Sequence, residues 1–124
     1  MPILYSDSCF LEHETGNHPE SALRLRSIVG RLEKTELQKQ FKQGIAQPAL
    51  REQLERVHSP LYIDSVAQFA RQGGGRIESD TVVCPRSFDV ALRAAGAAVS
   101  AVDDVIDDSH SRAVCLIRPP GHHA

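Results

Sequence analysis

Two adjacent histidines, His122 and His123, are the residues best suited to proton chemistry in this chain. Neighbouring imidazoles serve one reacting centre only if the backbone turns sharply between them. Pro119-Pro120-Gly121 supplies a stiff approach and then a permissive bend. Near a scissile amide such a pair can divide the proton work. One ring takes a proton from water, while the other stays charged or donates to the leaving amine. Taken alone, two neighbouring histidines are a weak motif that fits an exposed surface pair better than a reacting centre, so the elements around them must decide.

Ala113-Val-Cys-Leu-Ile117 is nearly all apolar, which predicts a strand buried on both faces of a parallel sheet. The histidine pair follows its carboxyl end, where ligand sites of open α/β sheets lie. Before it, Arg86 to Ile106 predicts a long helix, small-sided through Ala91, Ala94, Ala95, Gly96, Ala97, Ala98 and Ala101. Such a helix can approach a sheet closely, and Asp103, Asp104, Asp107 and Asp108 bring charge at its end.

Upstream, Ile3-Leu4-Tyr5 predicts a first strand and Ser6 to His18 a long polar loop. Pro19 suits a first helical turn, and Leu25, Ile28, Val29 and Leu32 predict a helix from Glu20 to Lys34. Thr35 to Ala49 reads as a turn and a short strand near Ile45, and Leu50, Leu54 and Val57 as one or two helical turns. Ser59-Pro60 reads as the cap and first residue of a helix with Leu61, Ile63, Val66 and Phe69 as apolar positions. Gly73-Gly74-Gly75 lacks the spacing of a P-loop or a GxGxxG turn and reads as a connector, with a loop to Pro85. Alternating strands and helices predict an α/β fold.

The 124 residues suit one domain, with 41% hydrophobic and 24% charged residues. A net charge of −2 gives no general pull toward nucleic acid or anionic membranes. No stretch approaches the length of a membrane span, and Met1-Pro2-Ile3 begins no signal peptide. Cys9, Cys84 and Cys115 are odd in number, widely spaced and without CxxC, which argues against a disulfide framework or cysteine zinc knuckle. Reduced thiols in a cytoplasm are expected. His13-Glu14 with His18 imitates HExxH, but those histidines are five apart, beside Gly16 and Asn17, so they do not share a helical face.

Four segments in order resemble the histone deacetylase family, which includes bacterial deacetylases and acetylpolyamine amidohydrolases. They are His18-Pro19-Glu20 with Arg24-Leu25-Arg26, Val57-His58-Ser59-Pro60-Leu61-Tyr62, Glu78-Ser79-Asp80-Thr81, and Arg118-Pro119-Pro120-Gly121-His122-His123-Ala124. The wording around Cys84-Pro85 and Arg118-Pro119-Pro120 is similar to the class II-like branch. The resemblance implies a three-layer α/β/α, arginase-like fold with a parallel sheet, of which residues 1–124 are the N-terminal part of one catalytic domain. It implies zinc-dependent hydrolysis of an acetylated amine, on a protein or a small molecule. In that scheme His123 is the main general base and acid, and His122 its electrostatic partner. Asp80 binds substrate at the tunnel mouth, and Arg24 lines the inner cavity behind the metal. His18 and His58 are expected to be structural.

In the family the zinc ligands and the oxyanion-stabilising tyrosine lie beyond the GHH motif, so no metal ligand is expected within this chain. The isolated chain is therefore expected to be inactive, and to be insoluble, molten or homo-oligomeric. Two other readings stay open: a non-catalytic interaction module, and a small metal-binding protein using His13, His18, His122 and His123.

Overall fold

The computed structural model describes residues 1–108 and 112–121. Its centre is a parallel sheet in the order β2-β1-β5, formed by β1 (Ile3–Ser6), β2 (Lys42–Gln43) and β5 (Ala113–Leu116). Ile3 pairs with Ala113 and Ser6 with Leu116, while Ile3 and Leu4 pair with Lys42 and Gln43 on the other side. The expected α/β class and parallel sheet are present. The first strand, the long second-half helix and the last strand lie where the apolar patterns put them.

Alternation along β1 sorts its side chains to two faces. Ile3 and Tyr5 enter the main core, which also takes Phe10, Leu25 and Ala46. Val90, Ala94, Ala97 and Ala101 complete it from one face of α4 (Ser87–Asp107). Their small side chains let the helix lie against β5 and β1. Fully burying a side chain the size of Phe10 or Leu25 contributes about 1.5–3 kcal/mol. The Tyr5 hydroxyl donates to the Asp104 carboxylate near the end of α4, tying β1 to that helix. Burial and then that carboxylate push the Tyr5 phenol up to about 12.

On another side of α4, residues 46–49 run close. Ala49 N–H donates to the Leu92 carbonyl at 2.8 Å, and Arg93 Nη1 donates to the Ala46 carbonyl at 3.0 Å. Gly96 permits the approach, since a Cβ there would stand 1.7 Å from the Gln47 carbonyl oxygen.

Several local expectations are corrected. The polar stretch after β1 contains a 3-10 turn, Ser8–Glu12, because Asp7 accepts from Cys9 N–H at 2.8 Å and caps it. Helix α1 begins at Ala22 rather than Glu20, and runs to Lys34. The edge strand forms at Lys42–Gln43, while Ile45 stays exposed. Helices α2 (Arg51–Glu55) and α3 (Pro60–Arg71) follow, and Ser59 Oγ accepts from Tyr62 N–H at 3.2 Å as the expected cap. Of the apolar positions assigned to α3, Ile63 is buried and Leu61 is exposed, because Ala67 and Ala70 complete the inner face. The three glycines all have positive φ, and they lead into a hairpin of β3 (Gly75–Glu78) and β4 (Thr81–Val83), not a plain loop. Strand β5 is at the sheet edge in this chain. Val114 is 41% exposed, so burial on both faces is not observed here.

Candidate functional site

The chain leaves β5 through Arg118, and this residue organises the site. Its side chain is fully buried. Nε donates to Glu20 Oε1 at 2.7 Å and Nη2 to Glu20 Oε2 at 2.9 Å. Nη1 donates to the carbonyls of Phe10 at 2.9 Å and His13 at 2.8 Å. A guanidinium is a planar fork of donors, so a two-point carboxylate and two carbonyls fix both its position and its plane. The carboxyl end of β5 is thereby fastened to the turn after β1 and to the segment before α1.

Burial pushes the Glu20 carboxyl up, but the Arg118 hydrogen bonds and charge, with Arg24 behind them, outweigh it. The net direction is below the ordinary glutamate value. The backbone of Glu20 is also held. Thr15 Oγ1 donates to its carbonyl at 2.6 Å, and its N–H donates to His18 Nδ1 at 3.0 Å. A ring nitrogen that accepts carries no proton, so His18 has its hydrogen on Nε2. That nitrogen donates to the Asp80 carbonyl oxygen at 2.7 Å. His18 thus bridges the pre-helical loop and the tip of the β3–β4 hairpin, with both ring nitrogens engaged.

His13 is buried at 4% exposure, with Nδ1 2.6 Å from Ser87 Oγ at the start of α4. Burial, then the nearby Arg118 charge, lower its tendency to take a proton. Ser87 Oγ also accepts from Cys84 N–H at 2.7 Å. Burial raises the Cys84 thiol. The Ser87 hydroxyl and the backbone N–H groups of Glu14, Arg86 and Ser87 together reverse that and leave it below its ordinary value. His13 and His18 are thus committed to protein partners rather than to a shared metal site. Among the described residues, no three His, Cys, Asp or Glu side chains converge where a metal ion could be held.

A groove of about 560 Å³ runs beside these contacts. Its wall includes Ala91, Ala95 and Ala98 of α4, Ile117 and Pro119 to Gly121 after β5, His18 and Glu20, and Asp80 with Thr81 from the hairpin. Asp80 and the approach to the histidine pair therefore border one cavity. His122 and His123 themselves lie outside the described residues. Arg24 does not line the groove. Its side chain is 45% exposed and Nη2 reaches Glu20 Oε1 at 3.3 Å. His58 stacks at a tilt on Tyr62 with ring centroids 5.1 Å apart, in the same groove wall. The residues that sequence reasoning passed over are Glu20 and Arg118. The one available signal was an arginine directly after an apolar strand, a position that demands an acidic partner.

The chain thus combines an α/β fold around a parallel sheet with a strand whose Pro-Pro-Gly exit borders a groove. Residues 18–124 match the model of the histone deacetylase domain. A probable deacetylase of Methanothermobacter thermautotrophicus is 35% identical over the whole of this chain and 36% of its own length. A histone deacetylase-like amidohydrolase of Pseudomonas aeruginosa is 35% identical over 85% of this chain and 27% of its own length. The crystal structure of the HDA15 HD domain superposes with a TM-score of 0.91 at 26% identity, covering 99% of this chain and 36% of that one. The chain belongs to the histone deacetylase family and spans about a third of the length of these relatives.

Proposed function

We propose that this chain is the N-terminal part of a zinc-dependent hydrolase that removes acetyl groups from acetylated amines, either acetyl-lysine in proteins or acetylpolyamines. The observation that carries this reading is the shared groove. Asp80 and the Pro119–Gly121 exit from β5 both line it, and Gly121 directly precedes the histidine pair. The names of the relatives, a probable deacetylase and a deacetylase-like amidohydrolase, support the reaction class.

In this reading His123 takes a proton from the attacking water and returns it to the leaving amine, while His122 holds charge beside it. Asp80 accepts hydrogen bonds from the substrate backbone at the groove mouth. Arg24 is proposed as an inner-cavity arginine on the family resemblance alone, since in this chain its side chain is 45% exposed and pairs with Glu20. Zinc supplies the Lewis acid in the family. Among the described residues no three His, Cys, Asp or Glu side chains could hold it, and it is the family resemblance that assigns its ligands to positions after the GHH motif. The arginase-like label of the fold rests on the same resemblance. A cytoplasmic setting is supported by three cysteines that are all unpaired. Among the described residues, no helix is long and apolar enough to cross a membrane.

The test is acetate release from acetyl-lysine peptides and acetylpolyamines by the full-length protein. We expect release by wild type, near-complete loss in His123→Ala and weaker binding in Asp80→Ala. Undiminished release by His123→Ala contradicts the proposal.

A further inference from the structure

We propose that Glu20 is a positioning residue that couples the Asp80 hairpin at the groove mouth to the end of β5 carrying His122 and His123. The inference rests on the deacetylase reading above and adds to it the device that holds the two sides of the site in register.

Glu20 is bonded through every polar group it has. Its N–H reaches His18 Nδ1 at 3.0 Å, and His18 Nε2 reaches the Asp80 carbonyl at 2.7 Å. Its carbonyl receives Thr15 Oγ1 at 2.6 Å. Its two carboxylate oxygens receive Arg118 at 2.7 and 2.9 Å. One amino acid is therefore linked to the Asp80 hairpin through an imidazole and to the residue that leaves β5 through a guanidinium.

Neither connector has slack. The imidazole is a rigid ring with both nitrogens in use. Arg118 is fully buried, and its remaining contacts to the Phe10 and His13 carbonyls leave no alternative orientation. A charged two-point pair is also shorter and stronger than a neutral contact. A displacement of Arg118 therefore passes to Glu20, then to His18 and the hairpin tip. The hairpin that carries Asp80 and the Pro119–Gly121 exit from β5 are separate segments, and a site shared between segments needs such a tie to keep reacting groups within a fraction of an ångström.

The experiment uses the full-length protein with His18→Ala, Arg118→Lys and the double variant. Glu20→Gln replaces Arg118→Lys if the latter does not fold. Among the described residues no hydrogen bond joins His18 to Arg118 directly, and both bond to Glu20. We expect each single variant to lose about tenfold in kcat/KM, with the same split between kcat and KM in both, because both break the same tie. The double variant should fall within about threefold of the worse single, because one tie is broken either way. Backbone amide exchange at residues 78–82 should also quicken in Arg118→Lys, a readout independent of activity. Losses that multiply to about a hundredfold, or unchanged exchange at the hairpin, overturn the coupling while leaving an active wild type and the deacetylase reading intact. A wild-type protein that releases no acetate overturns the deacetylase reading, and the catalytic purpose of the tie with it.

Discussion

Arg118 and Glu20 are separated by 98 residues in the chain, yet the guanidinium of one grips both carboxylate oxygens of the other. The arginine is completely buried and the glutamate partly so, at 0% and 18% side-chain exposure. A pair in this setting adds little compared with a well-packed apolar pair, but losing one member strands a charge. Arg118→Met should therefore cost about 3–5 kcal/mol, read from the shift in the urea midpoint of unfolding. The double variant Glu20→Leu with Arg118→Met should recover most of that loss. A single variant as stable as the wild type would show that the pair does not anchor β5.

The same groups make stability pH-dependent on the acid side. The Glu20 carboxyl is held below its ordinary value, so its contribution is present above that value of about 4.3 and is lost as pH falls through the folded-state value. His13 is also lowered, chiefly by burial. Its contribution is complete above about 6.5 and declines as pH drops and the unfolded chain takes the proton first. Unfolding free energy measured from pH 8 downward should thus begin to fall near pH 6.5 and steepen near pH 4. Glu20→Gln should flatten the lower limb and leave the upper limb in place.

The fold was largely legible because its main elements carry strong local patterns. The small-residue face from Ser87 to Ala101 could only be a helix pressed on a sheet, and Ala113–Leu116 could only be a strand. The β3–β4 hairpin was hidden because Gly75 to Glu78 carries a single large apolar residue, Ile77, and no alternation. The site was half legible. Motif words pointed to Asp80 and to the His122-His123 region. The Glu20–Arg118 pair is invisible because nothing local links residues so far apart, and His13, which the sequence offers only as a metal-ligand candidate, packs on Ser87 beside the groove.

The three thiols should differ in reactivity. Burial, followed by the Asp7 contact, pushes Cys9 up to about 11, and burial alone raises Cys115. Cys84 is held below its ordinary value by the Ser87 hydroxyl and three backbone N–H groups. The thiolate is the nucleophile. Brief iodoacetamide treatment near neutral pH, followed by peptide mass mapping, should label Cys84 first. Faster labelling of Cys9 would contradict these environments.

Two glycine substitutions should act in opposite directions. At Gly96 an added methyl meets the Gln47 carbonyl oxygen at 1.7 Å, a backbone atom that cannot step aside. Gly96→Ala should destabilise the protein by about 1–3 kcal/mol or more. At Gly30, on the exposed face of α1, nothing lies within 4 Å of an added methyl. Gly30→Ala should stabilise by about 0.5–1 kcal/mol through helix propensity. Thermal melts of the two variants check both signs.

The account as a whole turns on where the two imidazoles stand. The most direct measurement is a crystal structure of the full-length protein with an acetyl-lysine peptide bound. The account predicts the acetyl group in the groove beside α4, within hydrogen-bond reach of the His122 and His123 rings, and a substrate backbone N–H on Asp80. An acetyl group bound elsewhere, with those rings on a surface remote from the end of β5, would contradict it.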